Sequence, residues 1–231
     1  MSLTKISINN FRCFKNVDLQ LSPGINFFFG KNGSGKTSIL ESVFIFSSGK
    51  SFKSSNLASL VNYDNDKFTL KAFDNLKGYV VEIEKNKNKP ISVLLNNKKI
   101  TTSKLIKEFP CTPIHNNTFS FADASPDFRR KLLDRSIFIS EKFFSECWFS
   151  YYRSLKQRNS ILKNNRISDI YTWNTKLSDE GIKLNNMRKN FFTKTKNEFY
   201  YLIDLIQPSS VFDFFNLIEI DFFRGWDENK N

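Results

Sequence analysis

Residues 25–37 read Ile-Asn-Phe-Phe-Phe-Gly-Lys-Asn-Gly-Ser-Gly-Lys-Thr, an aromatic-rich run followed by a glycine-rich loop. The first five residues are typical of a short buried strand. The next eight match the pattern Gly-x-x-x-x-Gly-Lys-Thr, and residues 38–44 then place apolar side chains at helical spacing. A strand, a glycine loop and a helix in this order predict a phosphate-binding loop.

The predicted loop has a defined chemistry. Its glycines allow successive backbone N–H groups to point at one anion, and the following helix adds its positive N-terminal end. Lys36 is expected to reach the β- and γ-phosphates of a nucleoside triphosphate, and the Thr37 hydroxyl to help hold Mg²⁺. The predicted ATP-binding residues are Gly30, Lys31, Asn32, Gly33, Ser34, Gly35, Lys36 and Thr37. The alternative is a glycine-rich turn that binds nothing.

The remaining composition narrows the class of protein. The chain has 231 residues, 40% of them hydrophobic, and no apolar run approaches the roughly 18 residues of a membrane span. Cys13, Cys111 and Cys147 are odd in number and far apart, which favours a reducing cytoplasm without disulfides or structural zinc. A single histidine, His115, argues against histidine-based metal chemistry. We therefore expect a cytoplasmic protein with no membrane partner.

The charge indicates a polyanionic partner. The formal net charge is +12, and residues 129–196 carry 16 basic and 6 acidic side chains, whereas residues 197–231 carry 2 and 7. Such a concentration favours nucleic acid binding. The alternative is codon bias, because the abundant Lys, Asn, Phe and Ile all have AT-rich codons.

Hydrophobic periodicity divides the chain into three parts. Residues 1–118 predict a nucleotide-binding head, with antiparallel strands before the loop and a β-meander from Lys67 to Leu95. Residues 119–207 predict a helical lobe whose first helix has Ser125 as its N-cap and Pro126 in its first turn. Further helices are expected over about 141–163 and 171–206, and residues 208–231 predict a strand returning toward the head.

Residues outside the loop resemble a known family. Asn10-Phe11-Arg12-Cys13-Phe14 and residues 21–26 are similar to the start of the head in SMC-like repair ATPases. Three further stretches resemble the RecF family of bacterial DNA replication and repair proteins. They are residues 125–134, residues 155–163 and Phe223-Arg224-Gly225-Trp226. The resemblance covers essentially the whole chain and the N-terminal two thirds of that family's length.

The resemblance implies an α/β fold, in which a P-loop ABC-ATPase-type head with an antiparallel meander is joined to a helical second lobe. It implies binding of ATP with Mg²⁺, an ATP-dependent homodimer, and mostly non-specific contact with single- and double-stranded DNA. It also implies RecR- and RecO-type partners and a role in gap repair, replication and the SOS response. Arg12 would lie near the nucleotide phosphates, the alternative being an ordinary hairpin arginine. Arg129, Arg130 and Lys131 are the candidate DNA contacts, unless they form structural ion pairs.

The 231 residues also depart from the family pattern. The signature loop and the Walker B acid are expected beyond Phe223-Arg224-Gly225-Trp226, so the C-terminal part of the head is missing from this stretch and no catalytic residue is assigned. Leu202-Ile203-Asp204 and the run from Leu177 to Gly181 imitate those motifs, but both are predicted to be helical. Residues 114–118 read Ile-His-Asn-Asn-Thr where relatives tend to have a proline–acid pair. An apolar edge beside the loop strand is expected to be exposed.

Two other functions compete with an ATP-binding repair protein that hydrolyses little ATP. One is a non-enzymatic DNA- or partner-binding remnant with a vestigial loop. The other is a small P-loop phosphotransferase, for which no compact arginine lid or acceptor acid is found in the sequence.

Overall fold

The computed structural model describes residues 3–114, 124–164, 170–206 and 218–224. The chain divides into two compact units, Met1–Ser120 and Phe121–Asn231. Among the described residues, the first unit contains a six-stranded sheet, two α-helices and a short 3₁₀ helix (Leu57–Leu60), and the second unit contains three α-helices. No described helix combines the length and the apolarity that a bilayer crossing requires.

The first unit is built on an antiparallel sheet. Its strands are β1 (Leu3–Phe11), β2 (Phe14–Gln20), β3 (Lys67–Asp74), β4 (Tyr79–Asn86), β5 (Ser92–Leu95) and β6 (Lys98–Lys99). They lie in the order β2-β1-β3-β4-β5-β6, and every neighbouring pair is antiparallel. The predicted early strands and the predicted meander are therefore confirmed.

One face of this sheet forms the core. In β3, buried and partly buried residues alternate along the strand, as expected for a sheet with one covered face. The core residues on the sheet include Ile6, Ile8, Phe11, Phe68, Leu70, Ala72, Val81 and Ile83. They form one cluster with Ile45 and Phe46 of helix α1 (Lys36–Ser48) and Leu105 of helix α2 (Thr102–Glu108).

Helix α1 follows the glycines of the loop and ends at Ser48. Its C-terminal residue is followed by Gly49 at φ 62°, whose N–H donates to the Ile45 carbonyl, as in a left-handed C-cap. The seven buried residues of α1 all lie between Glu41 and Ser48. The helix is therefore anchored at its C-terminal end, while its N-terminal end carries the loop.

The predicted buried strand over residues 25–29 is not observed. No strand of the described sheet pairs with this segment, and Ile25, Phe27 and Phe29 are 77%, 82% and 93% exposed. An apolar run becomes a buried strand only where neighbouring strands satisfy its backbone and cover its side chains. The result agrees with the exposed apolar edge expected beside the loop.

The second unit consists of α3 (Pro126–Ser140), α4 (Phe144–Lys163) and α5 (Ile170–Ile206). The Ser125 hydroxyl accepts from the Phe128 N–H at 3.4 Å, so the predicted N-cap forms. Ile137, Phe144 and Leu184 form a small buried core with one residue from each helix. In the predicted returning strand over 208–231, Ile218 to Arg224 contain no regular secondary structure, and residues 208–217 and 225–231 lie outside the described residues.

Candidate functional site

The glycine loop turns sharply into α1. Gly30, Gly33 and Gly35 have φ values of 146°, 84° and 96°, which side chains other than hydrogen rarely allow. The Ser34 N–H donates to the Lys31 carbonyl at 3.2 Å and tightens the turn. Residues 30–34 are exposed, so the loop is open to a ligand.

Lys36 folds over the loop that precedes it. Its Nζ donates to the carbonyl oxygens of Gly30 and Lys31 at 2.8 and 2.9 Å. These bonds hold the ammonium group above the loop, where a phosphate would compete with two neutral carbonyls for it. A charged acceptor makes the stronger bond, so the arrangement is suited to exchanging carbonyls for a phosphate.

The N-terminal end of α1 is free of competing groups. Gly35 provides no side-chain cap, and the first turn contains no acidic residue. The first N–H groups of a helix have no partner within the helix, and they give that end a partial positive charge. The Thr37 side chain is exposed in this turn. The residues present therefore fit a phosphate group, and Thr37 is the residue of this turn whose hydroxyl could serve as a ligand to a metal ion bound to that phosphate.

The β1–β2 turn packs against the loop. A Cβ added to Gly35 would lie 2.3 Å from Cζ of Phe14 and 3.1 Å from Sγ of Cys13. Phe14 also packs against the core of the sheet. The turn thereby links the phosphate loop to the sheet, and Gly35 is the residue that allows the close approach.

Arg12 occupies the same turn and is held from several directions. Its φ is 56°, its N–H donates to the Leu60 carbonyl at 2.7 Å, and its own carbonyl accepts from Asn62 at 2.9 Å. Its guanidinium Nε and Nη2 each donate to Glu41 at 2.9 Å. The side chain is thus fixed to the loop helix, and its place beside nucleotide phosphates stays a prediction.

Glu41 is the site residue that the sequence reasoning missed. It lies in α1, is 0% exposed, and also accepts from the Ser51 hydroxyl. A signal was present, because Glu41 is the only acid in α1, and all the residues that follow the first turn apart from it are apolar or serine. A buried carboxylate needs charged or hydrogen-bonding partners, so such an acid predicts a nearby cation.

The three candidate DNA contacts lie at the start of α3, and all are exposed. Asp127 pairs with Arg130 at 3.8 Å and with Lys131 at 2.6 Å. The hydrogen bond from Lys131 lowers the pKa of Asp127 and raises the pKa of Lys131. The ion pairs considered as an alternative therefore exist, but they are local and solvent-exposed, and such pairs are weak.

The remaining sequence candidates take the following places. Leu202-Ile203-Asp204 and the run from Leu177 to Gly181 both lie within α5, as predicted, so neither forms a strand or a loop. His115 and residues 116–118 lie outside the described residues, as do Gly225 and Trp226.

Residues 2–125 match the family model described as the RecF/RecN/SMC N terminal domain. The DNA replication and repair protein RecF of Aliivibrio fischeri (strain MJ11) is 31% identical, over 98% of this chain and 63% of that protein. The corresponding RecF of Francisella tularensis subsp. tularensis (strain WY96-3418) is 32% identical, over 100% of this chain and 65% of that protein. The chain therefore spans less than two thirds of the length of these curated relatives.

Solved structures of RecF are also similar to this chain. The recombination mediator protein RecF of the RecFOR pathway, solved as RecF-ATP, superposes with a TM-score of 0.80 at 26% identity. A second structure, RecF-ATPrS, gives a TM-score of 0.78 at 26% identity. Each match covers 89% of this chain and 58% of the solved chain. The predicted head fold is thereby confirmed.

Proposed function

The chain belongs to the RecF/RecN/SMC family and corresponds to the N-terminal part of RecF, and we propose that it binds ATP and DNA in replication and repair. One observation supports the proposal that the chain binds ATP. The Gly30–Thr37 loop is open, turns into an uncapped helix end, and holds the Lys36 ammonium on two carbonyls that a phosphate can replace.

Each group around the loop has a part in binding. Backbone N–H groups of the loop and of the first turn of α1 surround the phosphates, and Lys36 leaves its two carbonyls to pair with the β- and γ-phosphates. Mg²⁺ neutralises phosphate charge when it is bound, and the Thr37 hydroxyl contributes a ligand to it. The bonds to Glu41 orient Arg12 along the loop helix, and we propose that this side chain lies near the phosphates.

Hydrolysis is a separate question. Phosphoryl transfer needs an oriented water and charge stabilisation opposite the γ-phosphate, in addition to the groups that hold the ground state. The loop supplies the ground-state groups, and Asp204, the acid of the run that imitates a Walker B strand, lies in the helix α5. We therefore propose that a polypeptide of these 231 residues binds ATP with negligible turnover.

The wider role follows from the relatives. Proteins named DNA replication and repair protein RecF and recombination mediator protein RecF support a role in DNA repair, and we propose that this role is the repair of single-strand gaps. On that basis we propose RecR- and RecO-type partners, an ATP-dependent homodimer of the complete family head, and a contribution to the SOS response. We propose that such a protein acts in the cytoplasm.

Replacing Lys36 with alanine tests nucleotide binding. We expect ATP affinity with Mg²⁺ to fall at least about tenfold, because the cation facing the β- and γ-phosphates is removed. Equilibrium binding of labelled ATP measures the change. Lys98→Ala removes the same charge from an exposed strand of the same unit and should bind ATP like the wild type. Equal affinity of all three proteins, or no wild-type binding, would favour the remnant with a vestigial loop.

The double substitution Arg129→Ala/Arg130→Ala tests the DNA contacts. We expect duplex affinity to fall about tenfold in moderate salt, and the slope of log affinity against log salt to drop by about 2, one for each phosphate contact. Fluorescence anisotropy at several salt concentrations measures both quantities. Lys98→Ala/Lys99→Ala is the charge-matched control, since both side chains are exposed in β6. An unchanged slope would remove the start of α3 from the DNA-binding surface.

A phosphotransferase remains the second enzymatic class to test. A screen of phosphoryl acceptors with labelled ATP is expected to show no transfer, because no described group near the loop is placed as an acceptor base. Transfer that is lost in Lys36→Ala would replace the proposal with that activity.

A further inference from the structure

Two exposed aromatic side chains lie side by side on α4. Phe149 is 52% exposed and Tyr152 is 37% exposed, and they are three residues apart on one helix face. The ring of Trp148 packs against the small core of this unit, and its centroid lies 4.1 Å from that of Tyr152 and 5.3 Å from that of Phe149. Phe149 meets Trp148 edge to face, at an interplanar angle of 89°, and the Tyr152 ring is tilted by 34° against Trp148, so the two exposed rings are supported by a third but face different directions.

This aromatic surface has a rigid support. The Trp148 indole N–H donates to Asp134 Oδ2 at 3.2 Å. Both Asp134 oxygens also accept from the Arg188 guanidinium at 2.7 Å, and the side chains of this pair are only 12% and 15% exposed. One buried carboxylate thus connects α3, α4 and α5 beneath the rings. A surface fixed in this way loses little conformational entropy when a ligand binds.

Cations surround the rings. Arg153 and Lys156 are exposed, and each follows one of the two rings by four residues, the spacing of helix neighbours. The Lys131 side chain, at the start of α3, is 75% exposed, and its pKa is raised chiefly by its hydrogen bond to Asp127 and to a smaller extent by Tyr152. The acidic neighbours are Asp127, which pairs with Lys131, and Glu146, three residues before Phe149. Cations outnumber acids on this surface.

We propose that the α4 face, defined as Lys131, Phe149, Tyr152, Arg153 and Lys156, binds single-stranded DNA by stacking one base on each aromatic ring. The cations would hold the phosphates between these bases. Aromatic platforms with adjacent cations are the general means by which proteins hold single strands without reading sequence. The proposal rests on the proposed DNA-binding function and assigns it a site, at which single-stranded DNA is held by its bases.

The rings favour a single strand over a duplex. In a duplex the faces of the bases are stacked on each other, so only the cations of the α4 face could contribute. In a single strand the bases are free to leave the stack and lie on the rings of Phe149 and Tyr152. The excess of positive charge in residues 129–196, 16 basic against 6 acidic side chains, favours a polyanion over an apolar protein partner.

The test uses the full chain with Phe149→Leu/Tyr152→Leu, which keeps apolar volume and removes both rings. Its probes are a labelled oligothymidine of about 20 nucleotides and a duplex of the same length. We expect binding of the oligothymidine to weaken about 10- to 100-fold, while duplex binding changes less than about threefold. Trp148 fluorescence should also be quenched by oligothymidine in the wild type, since that ring lies 4.1 Å from Tyr152.

Tyr201→Leu is the matched control, because Tyr201 is 61% exposed on α5 and lies 13 residues beyond Arg188, about 20 Å along the helix. It should leave both affinities unchanged. Arg153→Gln/Lys156→Gln provides a second variant that spares the rings, and it should weaken both forms of DNA. Unchanged oligothymidine binding in the Leu double variant, or an equal loss for duplex, would overturn the stacking site alone. Failure of the wild type to bind either DNA would overturn the proposed DNA-binding function as well.

Discussion

Replacing Arg12 with alanine is expected to destabilise the first unit by about 3 kcal/mol, because it leaves the Glu41 carboxylate buried with one hydroxyl partner. Glu41 is 0% exposed, and both of its oxygens accept from the Arg12 guanidinium at 2.9 Å. The expected cost is at the lower end of the range for broken buried pairs, since the Arg12 side chain is 31% exposed.

Hydrogen–deuterium exchange in urea measures this loss in the first unit alone. All three tryptophans lie at positions 148, 173 and 226, in the second unit, so their fluorescence does not report on the first. Amide protection in α1 and β1 should fall together, because Arg12 links the strand to the helix.

Two further variants make this result specific. In Arg12→Ala/Glu41→Gln the buried group is neutral and can still accept from Ser51, so more than half of the lost stability should return. Lys5→Ala breaks an ion pair with Asp18 whose side chains are 33% and 56% exposed, and it should cost less than about 1 kcal/mol. If Arg12→Ala costs no more than Lys5→Ala, the buried pair is not a structural link.

Substituting alanine at Gly35 is expected to abolish ATP binding and to destabilise the first unit by about 2–4 kcal/mol. The φ of 96° is strained for alanine, and the added Cβ would lie 2.3 Å from the Phe14 ring. Phe14 packs against the sheet core, so its ring cannot move away without opening that contact. Nucleotide titration and exchange protection of α1 measure the two effects.

Alanine substitutions at two other glycines distinguish the effect of backbone strain from the effect of a steric clash. Gly33→Ala has a φ of 84° but nothing within 4 Å of the added Cβ, so it should reduce ATP affinity with a stability loss of only about 1 kcal/mol. Gly78→Ala has a φ of 62° in a distant hairpin, also with open space, and should cost similar stability without changing ATP affinity. Equal behaviour of Gly35→Ala and Gly33→Ala would show that contact with the β1–β2 turn does not matter.

The local sequence pattern was sufficient to predict the structure at positions where one residue type determines the backbone conformation. The glycine loop, the start of α1 and the Ser125 N-cap follow from glycine freedom and side-chain capping, and the structure contains all of them. The meander followed from alternation, because one face of that sheet is covered. The run from Ile25 to Phe29 is not the buried strand that its pattern predicts, because its burial depends on neighbouring strands that no local pattern specifies.

Contacts between residues far apart in the chain could not be predicted from the local sequence pattern. The pair of Arg12 and Glu41 joins residues 29 apart, and the pair of Asp134 and Arg188 joins residues 54 apart. Helix α2, which follows the capping residue Thr101, was also missed. Buried ion pairs depend on three-dimensional proximity, so a single sequence can mark the acid as unusual without identifying its partner.

A crystal structure of the chain soaked with ATP and Mg²⁺ tests the central claim most directly. We predict a triphosphate against residues 30–37, with Lys36 moved from the Gly30 and Lys31 carbonyls to the phosphates, and Mg²⁺ beside the Thr37 hydroxyl. Density for nucleotide elsewhere, or an empty loop with both Lys36 bonds intact at saturating ATP, would contradict it.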